Sequence, residues 1–307
     1  MGEFFQEKLF LKRFIDLIRE CHQIILDVYE CDFEIVSKDD QSPVTEADRL
    51  CNQHICDFLK KIPIDNSGII SEEIKNDTFE ERQTLRWTWL VDPLDGTKEF
   101  IKKNGQFTVN IGLCEYGKPV FGIVGVPVSG EIYYGIKGIG SFKLSGEEKT
   151  QLSIPSKDMF LPQIRIVASS SHMNDQTRDY IQQFRDPIIV NTGSSIKLLW
   201  VAEGKADLYP RLGPTYEWDT CAAQAIVECA GGEVLQYDGG KACDAGKPVV
   251  YGKEHPLNPF FVVYGKRETR KAPSKKKDLL EDGGSVNVPA VAAGVLGLGA
   301  LAFLALS

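Results

Sequence analysis

The chain carries no surplus of positive charge, no cysteines at metal-binding spacing and no secretory-signal pattern in its first eight residues, and each absence weighs against a class of protein. Its 35 lysines and arginines stand against 43 aspartates and glutamates, a formal net charge of -8. A protein that neutralises a nucleic-acid backbone carries the opposite balance, so no nucleic acid is expected as a partner. A small anionic substrate stays open, because a few local cations and metal ions can outweigh the overall field. The eight cysteines, Cys21, Cys31, Cys51, Cys56, Cys114, Cys221, Cys229 and Cys243, contain no C-x-x-C pair and no zinc-ligand spacing. They read as reduced thiols of a cytosolic protein. The first residues, Met1 to Lys8, lack the basic start and apolar run of a secretory signal, so catalysis is expected to face the cytosol.

What is present is ordinary globular material organised around one stretch. With 307 residues, 43% of them hydrophobic and 25% charged, the chain can bury one large core or two closely packed ones. Trp89, Leu90 and Val91 read as the end of a buried strand. Pro93 is expected to stop the ladder, so that Asp92 and Asp95 leave the strand end in a tight loop. Two carboxylates so placed suit hard cations. Gly96 admits a close backbone approach, and the amides of Gly96 and Thr97 open a short helix that favours phosphate oxygens. The plainer alternative is a turn in which Asp92 and Asp95 only cap a helix.

Upstream, apolar residues recur at Phe10, Phe14, Leu17, Ile18, Ile24, Ile25 and Val28, the spacing of a packing helix. A second helix begins near Thr45, where Thr45 and Asp48 form the pattern of a capping box. Residues 67–71 form a short apolar strand that ends in Glu72 and Glu73. If it neighbours the Asp92 strand, three or four carboxylates share one place, and their repulsion calls for cations. Strands at 107–113, 120–126, 132–134 and 138–142 follow as an antiparallel meander. Residues 1–150 therefore read as an α+β half. Residues 151–265 alternate strands with helices, an α/β half with strands at 164–168, 188–190 and 206–209. Gly193, Ser194 and Ser195 open a helix and either receive a phosphate or cap it. Asp219 opens the apolar helix that closes at Gly231 and Gly232, where it caps or joins the other acids.

From residue 266 to 287 the chain reads as a basic, polar linker. Residues 288–306 then contain no charge, a run of roughly the 20 apolar residues that span a hydrocarbon core. A C-terminal transmembrane helix, a tail anchor with the basic flank in the cytosol, is expected.

The separated motifs fall into one order. Ser71-Glu72-Glu73, then Asp92-Pro93-Leu94-Asp95-Gly96-Thr97, then Gly193-Ser194-Ser195, then Trp218-Asp219, resemble the inositol monophosphatase-like superfamily of magnesium-dependent, lithium-sensitive phosphatases. Over residues 5 to 265 the chain looks most like its CysQ-type branch of 3'(2'),5'-bisphosphate nucleotidases, with the closest echoes in residues 95–101, 104–111, 193–197 and 202–211. The resemblance implies a layered αβαβα sandwich, and the apolar tail departs from it. It further implies that Glu72, Asp92 and the Leu94 carbonyl ligate one Mg2+, and that Asp92, Asp95 and Asp219 ligate another, with two or three ions in all. Asp48 and Thr97 would hold a metal-activated water that attacks phosphorus in line. Glu72, Leu94, Asp95, Gly96, Thr97, Ser194, Lys197, Arg211 and Asp219 would contact substrate. Arg211 offers a planar fork for a second phosphate, which fits adenosine 3',5'-bisphosphate and its sulfated precursor. Its alternative is an exposed arginine paired with a nearby acid. The implied activity is release of the 3'-phosphate to give AMP. Two other readings stay open: an inositol phosphate phosphatase, and a catalytically silent, membrane-anchored nucleotide sensor.

Overall fold

The computed structural model describes residues 8–31, 35–37, 43–74, 77–168, 173–244 and 246–268. The amphipathic first segment forms helix α1 (Lys8–Glu30). A short hairpin, β1 (Ile35–Ser37) and β2 (Pro43–Thr45), leads into α2 (Glu46–Leu59). Next come β3 (Ser67–Ser71), the single turn α3 (Phe79–Arg82), β4 (Trp87–Asp95) and α4 (Thr97–Ile101). A meander follows through β5 (Thr108–Glu115), β6 (Lys118–Val126), β7 (Glu131–Ile136), β8 (Gly140–Ser145) and β9 (Glu148–Leu152). The chain continues as β10 (Arg165–Ala168), α5 (Asp175–Ile181), β11 (Ile188–Asn191), α6 (Ile196–Ala202), β12 (Leu208–Arg211), α7 (Glu217–Cys229), β13 (Glu233–Gln236) and β14 (Phe261–Tyr264).

Strands β3 to β9 lie in sequence order in one seven-stranded sheet, and the second sheet has the order β11-β10-β12-β14-β13. In the first sheet β3 runs parallel to β4 and all later pairs are antiparallel. The second mixes parallel β11-β10-β12 with antiparallel β12-β14-β13. Because strand side chains alternate, each sheet feeds two cores. Trp89, Val91, Ile111, Phe121 and Tyr134 meet Phe14, Ile18 and Ile55 of α1 and α2. Leu90, Cys114, Val124 and Tyr133 face the other way and pack with Cys221 and Ile226 of α7, Leu199 of α6, and Val263 of the second sheet. Ile166, Leu208 and Val262 on that sheet's far side pack with Tyr180 and Ile181 of α5. Three cores between five layers give the expected αβαβα sandwich.

Helix α7 lies unusually close to the first sheet. Gly112, Gly122 and Gly135 sit opposite one another on β5, β6 and β7 and form a smooth groove. A Cβ on Gly122 would stand 2.0 Å from the Ala222 carbonyl oxygen, and one on Gly135 would stand 2.7 Å from Ile226 Cα. Only hydrogen at these positions lets the helix backbone seat there.

The structure differs from the sequence expectation in several places. Pro93 does not end the ladder: β4 runs on to Asp95, with a register shift between Asp92 and Asp95 against β5. A bulge absorbs the missing proline N–H, and the Leu94 N–H turns to Asp92 Oδ1 at 3.0 Å. The hairpin β1-β2, strands β9, β13 and β14, and helix α3 were not foreseen. Lys266 to Glu268, read by composition as the start of a linker, are tied to the fold. Arg267 bridges to Lys157 in parallel and its Nε donates to Glu233 at 2.8 Å. The apolar segment 288–306 and most of the linker lie outside the described residues. Among the described residues no helix is long and apolar enough to cross a membrane.

Candidate metal centre

The parallel pairing of β3 with β4 sets Ser71 beside Val91, so Glu72, just past the end of β3, comes beside Asp92 within β4. The bulge then carries Asp95 back toward the same place, and the groove-seated α7 brings Asp219 in from its first turn. One oxygen each of Asp92, Asp95 and Asp219 lies within 4.8 Å of the others. Glu72, Leu94, Gly96, Thr97, Ser194, Lys197, Arg211 and these three aspartates all line one cleft of about 280 Å³.

Each aspartate commits an oxygen to the protein. Asp92 Oδ1 accepts the Leu94 N–H at 3.0 Å, and Asp219 Oδ2 accepts the Tyr216 N–H at 2.9 Å. Asp95 Oδ2 accepts from Ser194 Oγ at 2.7 Å and from the Ser195 N–H at 2.6 Å. Among the described residues no hydrogen bond claims the second oxygen of any of the three. Burial holds the carboxyl of Asp92 well above the ordinary aspartate range, and Glu72, Asp95 and Asp219 add to the shift. Burial does the same to Asp219, with Asp95 next in weight. A pinned set of oxygen donors that repel one another fits a hard divalent cation, which supplies the missing counter-charge.

Asp48, 1% exposed, serves two partners. Its Oδ2 closes the expected capping box, accepting the Thr45 N–H at 2.8 Å and Thr45 Oγ1 at 2.6 Å. Its Oδ1 faces Thr97 Oγ1 at 3.4 Å. Capping and site membership therefore coexist. Burial raises Asp48 to about 6 against the pull of Thr45, with Glu73 and Glu72 raising it further.

Gly96 takes the left-handed φ of 96°, and a Cβ there would meet the Gln106 carbonyl oxygen at 3.0 Å. Ser195 stands at the N-cap of α6 but its side chain makes no capping hydrogen bond, and neither Ser194 nor Ser195 stands free. Their oxygens join Thr108 Oγ1 at 2.7 and 2.8 Å, and Ser195 Oγ donates to Asn110 at 2.9 Å. This network, which fixes Asp95, was missed. Its signal was two polar residues, Thr108 and Asn110, at alternate positions of an otherwise apolar strand. Also missed was Glu217, fully buried, whose carboxylate accepts the Gly252 and Lys253 N–H groups at 3.0 Å each and anchors the start of α7.

Across the cleft Lys197 is 6% exposed, and burial lowers its ammonium to about 8. Arg211 donates from Nη2 to the Pro214 carbonyl at 2.7 Å, while its buried Nε has no partner among the described residues. It forms no ion pair among them, against the alternative in which it is tied to an acid.

Sandwich and cluster together define a layered α/β protein with an acidic centre built for divalent cations. The chain belongs to the inositol monophosphatase family, whose pattern matches residues 7–263. It is 40% identical over 256 residues to the 3'(2'),5'-bisphosphate nucleotidase CysQ of Escherichia coli K12, covering 82% of this chain and 98% of that protein. Identity to the Salmonella typhimurium CysQ is 42% over the same length, with the same coverage. The crystal structure of CysQ from Bacteroides thetaiotaomicron superposes with a TM-score of 0.70 at 39% identity, covering 83% of this chain and 96% of that one.

Proposed function

We propose that the chain is a Mg2+-dependent 3'(2'),5'-bisphosphate nucleotidase that cleaves adenosine 3',5'-bisphosphate to AMP and phosphate, and also acts on the sulfated precursor. Glu72, Asp92 and the Leu94 carbonyl would hold one ion, and Asp92, Asp95 and Asp219 a second. Ions bound there supply Lewis acidity toward the phosphoryl oxygens and ease deprotonation of a nearby water. The Thr97 hydroxyl donates to Asp48, which leaves its oxygen to accept from the attacking water and aim it at phosphorus. The Gly96 and Thr97 amides steady the phosphoryl oxygens, and Ser194 keeps Asp95 in register. Water adds to phosphorus as the bond to the 3'-oxygen breaks, and that oxygen leaves to become the 3'-hydroxyl of AMP.

One observation carries the choice of a bisphosphate: buried Lys197 and the unpartnered Nε of Arg211 line the cleft that holds the acids. Two cations in the cleft of a metal cluster suit a second phosphate, which an inositol monophosphate lacks. Phosphate release from adenosine 3',5'-bisphosphate and from inositol 1-phosphate, measured side by side with Mg2+, tests the assignment. The nucleotide is the faster substrate and added Li+ inhibits its turnover; faster release from the inositol ester overturns it. Residues 288–306 are proposed as a membrane span on the strength of their uncharged composition. Recovery of the full chain in a carbonate-washed membrane pellet supports this, and recovery in the supernatant refutes it.

A further inference from the structure

Between Arg211 and Asp219, where the chain leaves β12 and enters α7, stand two aromatic rings. Tyr216 and Trp218 are parallel within 12°, with ring centroids 5.0 Å apart. Trp218 is 8% exposed and fills the floor, whereas Tyr216 is 40% exposed although Trp218 covers one of its faces. Both line the cleft of the acids. A large ring stacked on one neighbour and 40% exposed in a cleft offers surface to a second flat group.

Hydrogen bonds fix the backbone that carries this ring. The Tyr216 N–H donates to Asp219 at 2.9 Å, and the Tyr216 carbonyl accepts from Asn258 Nδ2 at 2.7 Å. The Asn258 N–H donates to the Thr215 carbonyl at 2.8 Å, and Arg211 reaches the Pro214 carbonyl at 2.7 Å. With its backbone pinned and Trp218 stacked against it, the ring has less freedom to lose when a ligand arrives.

We propose that Tyr216 is the stacking platform for the nucleobase of the substrate, an inference that rests on the bisphosphate nucleotidase reading. Along one loop the chain then presents a guanidinium for one phosphate, a ring for the base and a carboxylate beside the reacting phosphate. A nucleoside bisphosphate carries the two phosphates and the base on a single ribose. Inositol has no π face, so the platform separates nucleotides from cyclitol phosphates. Every base has such a face, so it separates adenine from other bases only weakly.

The test compares Tyr216→Leu and Tyr216→Phe with the unaltered protein, all checked for equal Tm. The leucine keeps apolar bulk over Trp218 and the phenylalanine keeps the ring. Competitive Ki values are measured for AMP and for inorganic phosphate, on whichever phosphomonoester the unaltered protein hydrolyses best. The leucine variant raises the AMP Ki on the order of tenfold, the size of a lost base–aromatic stack, and leaves the phosphate Ki unchanged. The phenylalanine variant retains the original AMP Ki. An unchanged AMP Ki in the leucine variant, or an equal rise for phosphate, overturns the platform. Failure of the unaltered protein to hydrolyse adenosine 3',5'-bisphosphate instead overturns the activity on which it rests.

Discussion

Gly122→Ala tests whether the glycine groove places the metal centre. The added Cβ would stand 2.0 Å from the Ala222 carbonyl oxygen, where carbon–oxygen contacts settle near ~3.3 Å, so helix α7 or strand β6 must yield by about 1.3 Å. Neither moves freely. Strand β6 is paired on both sides, and α7 is packed between two sheets. Overpacking of this kind costs about 1–3 kcal/mol, which lowers Tm by roughly 2–5 °C in a chain of this size. The larger effect is expected at Asp219, which rides on the first turn of the displaced helix. A shift of about 1 Å in a group that positions the reaction lowers rate on the order of a hundredfold. Thermal unfolding and the Mg2+ dependence of phosphate release read the two effects separately. Gly213→Ala is the control, because a Cβ there meets nothing within 4 Å. If Gly122→Ala keeps the original Tm and Mg2+ dependence, the groove does not seat the helix and the argument from close approach fails.

Asp95→Asn removes one of the mutually repelling charges while leaving an oxygen for Ser194 and Ser195. The metal-free Tm is expected to hold or rise, the Mg2+-induced rise in Tm to vanish, and kcat to fall roughly a thousandfold, as loss of a metal-holding carboxylate implies. Retained Mg2+ stabilisation would refute the ligand assignment. Asp48, Asp92 and Asp219 all have raised carboxyls, so in metal-free protein their contribution to stability is present below 3.8 and, for Asp48, is lost as pH rises through about 6. Cation binding needs them ionised, so the Tm increment from Mg2+ grows between about pH 4 and about pH 7. An increment flat across that range refutes the coupling. Arg211→Ala is expected to raise KM for adenosine 3',5'-bisphosphate roughly ten- to hundredfold, the worth of a charged hydrogen bond, with much less change for a monophosphate. Equal effects on both would remove Arg211 from the second-phosphate role.

Local chemistry in the chain was enough for many features. Periodicity announced α1 and α2, alternation announced most of the meander, and Thr45 with Asp48 announced a capping box that the structure closes. The acids were legible as a group because each follows a strand end or opens a helix, positions where a carboxylate is either a cap or a ligand. Sequence spacing could not choose between those roles, and the structure makes the choice partly void. Asp48 and Asp219 cap with one oxygen and leave the other toward the site or unclaimed.

What the chain alone determined, then, is the inventory: the carboxylates, the glycine before Thr97, the apolar faces and the order of elements. Tertiary structure decided what those groups do, because the deciding distances join residues far apart in sequence. The parallel pairing of β3 with β4 made neighbours of Glu72 and Asp92. The Thr108, Asn110 and Ser195 network joins strand β5 to the start of helix α6 to hold Asp95. The groove of Gly112, Gly122 and Gly135 lowered a whole helix until Asp219 closed the cluster. None of these follows from local propensity, since each depends on which surfaces exclude water together and how closely two backbones can approach.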